Sequence, residues 1–185
     1  MSAWLEAPTN STHKIQQTNC STEVKNCQEK EKQMGNRAVI TDKNKKIGVY
    51  LHWNGGRNSV EGFLTYCKLK EYRNPNRDCY GWARLCQVIG NYFGGICSVG
   101  IDTFEELDTD NGDNGTYIID ENWDICGRKY FDGIEQQEYD LFEFIKDVNS
   151  CMPETEQLEE TYIRNKINEL QEAKKMNEKK NFENF

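Results

Sequence analysis

The side chains with the clearest chemical potential in this chain are arginines and amides placed beside glycines. Asn54-Gly55-Gly56-Arg57 joins a stretch with strand periodicity to one with helical periodicity. Two adjacent glycines can adopt positive φ there and turn backbone N–H groups towards a ligand at a helix N-terminus. Arg57 adds a planar, permanently charged fork that suits phosphate or carboxylate and is expected to be exposed in the empty protein. The same four residues can equally be a tight turn with a solvated arginine. Arg128 and Arg84 are further candidate anion ligands, Arg84 being also readable as a plain surface arginine. Phe104 offers a stacking face and Asn114 an amide able to pair with a base edge.

Groups that would transform a ligand are scarce. The histidines are His13 and His52, and neither is set beside a candidate nucleophile in a known catalytic pattern, so no enzyme activity and no catalytic residue are expected. Cys20 and Cys27, like Cys79 and Cys86, have six residues between them where zinc sites have about two to four, so no metal is expected. The acidic segment from Asp108 to Gly115 invites comparison with a calcium loop. Counted from Asp110, Asn114, Gly115 and Glu121 fall at positions 5, 6 and 12, but Gly112 stands at position 3, where an oxygen ligand belongs. Its flanks lack the two helices such a loop needs.

Those residues have to be positioned by a small set of elements. Residues 36–41 begin a β-type run, and Asp42-Lys43-Asn44-Lys45 is a hairpin turn into a second strand over Ile47–Trp53. The first helix follows, with Asn58 as its cap, Glu61 three residues on, and Val60, Phe63, Leu64 and Cys67 on one face. A second helix spans Cys79–Phe93 behind an Asp78 cap, with Leu85, Val88, Ile89 and Tyr92 as its stripe. Ile96–Ile101 reads as a strand, residues 108–115 as a long hairpin loop, and Thr116–Ile119 and residues 123–131 as further antiparallel strands. Glu138–Asn149 is an amphipathic helix that Met152-Pro153 ends. The pattern predicts an α+β fold: an antiparallel sheet of five to six strands, two helices inserted after strand 2, and C-terminal helices.

Composition sets the outer limits. With 36% hydrophobic and 29% charged residues, part of the 185-residue chain is expected outside the core. Residues 1–35 read as a polar, disordered extension, 36–152 as the α+β core domain, and 153–185 as a helical, partly disordered tail. In that tail Leu158, Tyr162, Ile163, Ile167 and Leu170 form a narrow stripe for a partner, a sister subunit or solvent. A net charge of −8 excludes non-specific nucleic-acid binding driven by phosphate neutralisation. No long apolar run and no signal-peptide pattern is read, which predicts a cytoplasmic chain with no membrane partner. Five of the eight cysteines, Cys67, Cys79, Cys86, Cys97 and Cys126, lie in apolar patterns and are expected to be reduced core residues.

Four segments carry a resemblance that covers a little over half the chain: residues 36–40 (Asn-Arg-Ala-Val-Ile), 49–57 (Val-Tyr-Leu-His-Trp-Asn-Gly-Gly-Arg), 80–91 (Tyr-Gly-Trp-Ala-Arg-Leu-Cys-Gln-Val-Ile-Gly-Asn) and 113–119 (Asp-Asn-Gly-Thr-Tyr-Ile-Ile). The span resembles a small-protein family of phages and prophages in Firmicutes and the Thoeris anti-defence sponge family. That resemblance implies a small α+β homo-oligomer, acting in the host cytoplasm without a cofactor. It would sequester a cyclic ADP-ribose isomer made by a TIR-domain enzyme, or a cyclic dinucleotide, without cleaving it. The ligand-binding set to be tested is Gly55, Gly56, Arg57, Arg84, Phe104, Asn114 and Arg128. The alternative is an acidic protein inhibitor that occupies the basic groove of a nucleic-acid-processing defence enzyme such as a CRISPR effector.

Overall fold

The computed structural model describes residues 36–75, 79–95 and 98–183. The expectations for the N-terminal extension, the Asp78 cap, Ile96 and Cys97 fall outside them. In chain order the elements are β1 (Ala38–Asp42), β2 (Ile47–Leu51), α1 (Arg57–Leu69), α2 (Cys79–Tyr92), β3 (Val99–Thr103), β4 (Thr116–Ile119), β5 (Ile125–Lys129), α3 (Leu141–Ser150), a 3-10 turn (Glu154–Glu156) and α4 (Glu160–Glu183). This is the α+β fold expected, with five strands and with α1 and α2 inserted after the second.

The sheet is mixed, which corrects the all-antiparallel expectation. Its order is β3-β2-β1-β4-β5, and β1 and β4 run parallel, with Val39 opposite Thr116 and Thr41 opposite Ile118. The remaining pairs are antiparallel. The segment between β3 and β4 is therefore not a hairpin loop. It leaves the β3 edge, passes over β2 and β1, and enters β4 on the far side, a connection that parallel strands require. There is a packing reason for that route. The helices cover only one face of β1, and Val39 points to the other; Leu107 of the crossover covers it, lying so close that a Cβ on Gly48 would come within 2.6 Å of Leu107 Cδ1. Every residue of β1 is buried as a result.

The other face packs on the helices. Ile40, Val49, Leu51, Tyr117 and Ile119 meet Val60, Phe63, Leu64 and Cys67 of α1 and Leu85, Val88 and Ile89 of α2, all in one cluster. These are the stripes that the helical periodicity predicts. Ile145 and Val148 of α3 join them, and so do Ile163 and Ile167 of α4, so the C-terminal stripe is used inside this chain. Asn149 fastens the corner: its side chain bonds both backbone groups of Leu158 and accepts from the Tyr66 hydroxyl. Asp42 shapes the β1–β2 turn by accepting the N–H groups of Asn44 and Lys45, the latter at φ 50°.

The cysteine expectation needs correction as well. Cys67 is fully buried and Cys86 half-buried, and burial pushes the Cys86 thiol up to about 11. Cys79 and Cys126 are exposed. Cys79 opens α2 on its solvent side, and Cys126 is the extra residue where the β4–β5 register shifts between Ile118 and Ile119, so it belongs to neither apolar row.

Candidate functional site

Two of the three candidate arginines converge at one end of the sheet, where β1 and β4 begin and β2 and β5 end. The turn between β2 and α1 brings Arg57 there. Its geometry differs from the one expected: neither Gly55 nor Gly56 has positive φ, while Asn54 does, at 55°. Gly55 is required for close approach. A Cβ on it would lie 2.7 Å from Ala38 Cβ and from backbone atoms of Asn36 and Arg37. Its N–H donates to the Asn36 carbonyl at 2.7 Å and its carbonyl accepts the buried Tyr117 hydroxyl at 3.0 Å, so this peptide is a fastening between strands and not an anion-binding nest. Gly56 is the helix N-cap, in extended conformation and without a side-chain cap bond. Asn58 is thus inside α1 and does not cap it, and Glu61 is freed for other partners.

Arg128 arrives from β5 opposite Tyr117. Its guanidinium lies over the rings of Tyr117, at 4.2 Å, and Phe131, at 3.5 Å. Nε donates to the Asn114 carbonyl and Nη2 to Asn114 Oδ1, both at 3.0 Å, while Nη1 bonds Glu135. Asn114 in turn donates to the Asn36 side chain. It is presented by the end of the crossover, which Asn111 locks by accepting the N–H groups of Asp113 and Gly115 and donating to the Gly115 carbonyl.

Arg57 completes the arrangement. Nη1 meets Glu135 Oε1 at 3.0 Å and Nε meets Glu61 Oε2 at 3.4 Å. It is half-buried and ion-paired, 26% exposed, where free exposure was expected. Glu61 also bonds the Tyr139 hydroxyl, and Lys174 of α4 at 2.6 Å. Burial pushes the Glu61 carboxyl up, but Lys174, Tyr139 and Arg57 outweigh it and hold it below the ordinary range. Burial raises the Tyr117 and Tyr139 phenols, which remain protonated donors. Three cations, Arg57, Arg128 and Lys174, therefore face two carboxylates, Glu61 and Glu135, a local excess of positive charge in a chain of net −8.

The remaining candidates are placed elsewhere. Arg84 is exposed on α2, bonded to Gln87 and lying over the Tyr72 ring. Phe104 sits at the opposite end of the sheet, its N–H on the Lys46 carbonyl and Lys45 Nζ above its ring. His52 is exposed and packs edge-on against Trp53. Sequence reasoning missed Glu61, Tyr117, Phe131, Glu135, Tyr139 and Lys174 as members of the site. Only the aromatic spacing around Arg128 offered a signal for any of them. Beside Tyr139, a groove of about 440 Å³ opens between α3 and α4, lined by Phe142, Arg164, Ile167, Asn168 and Gln171. Among the described residues no cluster of His, Cys, Asp and Glu is placed to hold a metal ion, and no helix is long and apolar enough to cross a membrane.

No family model matches the chain, and no curated protein or solved structure matches it either.

Proposed function

We propose that this chain binds and holds, without cleaving it, a small anionic signalling molecule of the cyclic-nucleotide class, whose phosphates are taken by Arg57 and Arg128. The observation that carries this reading is that two guanidinium groups from separate elements, α1 and β5, close on one carboxylate, that of Glu135. A guanidinium pair held on rigid elements is the geometry that recognises planar or tetrahedral oxyanions. The rings of Tyr117 and Phe131 and the two bonds to Asn114 hold Arg128 in position. The surrounding groups are ion-paired carboxylates, amides and protonated phenols, an inventory for holding an anion.

The setting that goes with this reading is a phage protein in the host cytoplasm, an anti-defence sponge for a cyclic ADP-ribose isomer or a cyclic dinucleotide. Homo-oligomerisation belongs to the same proposal, and the outer edge of β3, which pairs with no other described strand and carries Ile101 54% exposed, is the surface it would use. The test is to incubate the protein with a cyclic ADP-ribose isomer, remove unbound ligand, heat-denature, and assay the supernatant. Intact ligand supports the proposal; degraded ligand means an enzyme, and no capture rejects ligand binding.

A second reading has its own observation. The end of β3 exposes Asp102 and the crossover that follows exposes Glu105, Glu106, Asp108 and Asp110, an acidic stretch suited to a basic groove of a nucleic-acid-processing enzyme. Failure to capture ligand, together with salt-sensitive inhibition of such an enzyme, favours it.

A further inference from the structure

Glu135 is the odd member of the site. Arg57 is fixed by α1 and Arg128 by β5 and two aromatic rings, but Glu135 comes from the stretch between β5 and α3, which has no helix or strand from Tyr130 to Asp140. Within residues 132–138 it alone makes a hydrogen bond or ion pair to a described residue outside the segment. Gln137 bonds only back to the Glu135 carbonyl, and Ile134 is 97% exposed. The two Glu135 oxygens are divided between the arginines, Oε1 on Arg57 and Oε2 on Arg128, as two oxygens of a phosphate group would be.

From this we infer that Glu135 stands in for the ligand's anion, and that residues 132–138 form a strap which the incoming ligand displaces. The inference rests on the anion-site reading above and adds a regulatory element to it. Charge balance indicates the ligand class. With Glu135 in place the cluster of Arg57, Arg128, Lys174, Glu61 and Glu135 has one excess positive charge; with Glu135 swung out it has two. A compact dianionic group such as a pyrophosphate esterified at both ends, offering one charge to each arginine, restores neutrality. A tethered carboxylate competes at high effective concentration, so the observed affinity is the intrinsic one reduced by the fraction of molecules whose strap is open. The carboxylate also keeps the two guanidinium groups apart from each other's charge while the site is empty.

Inorganic pyrophosphate is the probe, titrated calorimetrically into the full chain, into Glu135→Gln, into Arg57→Ala and into the double variant, with circular dichroism to check folding. Glu135→Gln keeps the shape but removes the competing charge. It is expected to bind about tenfold or more tighter than the parent. Arg57→Ala is expected to lose binding in both backgrounds. In the parent, saturating pyrophosphate is expected to speed cleavage after Glu135 by a glutamate-specific protease, because the displaced strap no longer has that side chain held by the two arginines. Equal or weaker binding by Glu135→Gln, with binding still lost in Arg57→Ala, overturns the strap and leaves the site standing. So does cleavage after Glu135 that stays unchanged or slows in the parent, a readout that needs no variant to fold. Arg57→Ala binding like the parent, or no uptake by either the parent or Glu135→Gln, overturns the anion site itself.

Discussion

Replacing Tyr117 with Phe isolates the bond that ties the site to the sheet. The ring is fully buried in the core, and its hydroxyl donates to the Gly55 carbonyl at 3.0 Å. Phenylalanine fills the same volume, so packing and the ring face under Arg128 are retained and no cavity forms. What is lost is one hydrogen bond, and the carbonyl of a buried residue is left without that donor. A net bond contributes about 0.5 to 1.5 kcal/mol, and a stranded buried acceptor costs about 1 to 3 kcal/mol, so a loss of about 1 to 3 kcal/mol is expected. For a chain of this size each kcal/mol shifts the thermal midpoint by about 2 to 4 °C. Urea unfolding followed by circular dichroism should show a lower midpoint with an unchanged slope, since the surface exposed on unfolding is the same. Anion affinity should fall in the same variant, because Gly55 directly precedes the helix start that aims Arg57. An unchanged urea midpoint would refute the argument: the Gly55 carbonyl would then be finding water, and the turn would be held by something other than Tyr117.

Asn111→Ala removes the acceptor of the Gly115 N–H and one of the two donors to the Gly115 carbonyl, which keeps the Val39 N–H, and frees the end of the crossover, so a loss of about 1 to 3 kcal/mol is expected by calorimetry, with Asn111→Asp losing less because it keeps the acceptor oxygen. Gly115→Ala should fail to accumulate as folded protein in an expression and solubility assay, since that residue sits at φ +62° and its Cβ would run into the carbonyls of Lys129 and Tyr130. Glu61 gives a pH dependence. Its folded value lies below the ordinary 4.5, so its stabilising contribution is complete above that value and is lost as the pH falls through the lower folded one. In an acid titration by circular dichroism, the stability gap between the parent and Glu61→Gln should narrow as the pH drops below 4.5.

The helical faces were legible because burial there follows spacing: Leu85, Val88, Ile89 and Tyr92 are all buried, as their period requires. The strands of the first hairpin were legible for the same reason. The mixed topology was not, because twelve polar and glycine-rich residues between Thr103 and Thr116 can fold back or cross over, and only Leu107 meeting Val39 and Gly48 decides it. The Asn58 cap failed since local preference yielded to the tertiary contact of Gly55 with the start of β1, which moved the helix start upstream. Arg57, Asn114 and Arg128 could be singled out by type and by their glycine neighbours. That they meet, and that Phe104 and Arg84 do not join them, depends on strand order. Glu135 left no mark in the sequence, because a carboxylate in an irregular stretch looks like any solvated one.

The proposed role of Arg57 and Arg128 is to hold the ligand's phosphates between them. Calorimetric titration of a cyclic ADP-ribose isomer into the parent, Arg57→Ala and Arg57→Lys checks that pairing. A charge-assisted pair contributes about 1.5 to 3 kcal/mol, so Arg57→Ala should bind roughly ten- to hundredfold more weakly, and Arg57→Lys should recover only part, lacking the two-pronged contact. Equal affinity in the parent and Arg57→Ala would contradict the account.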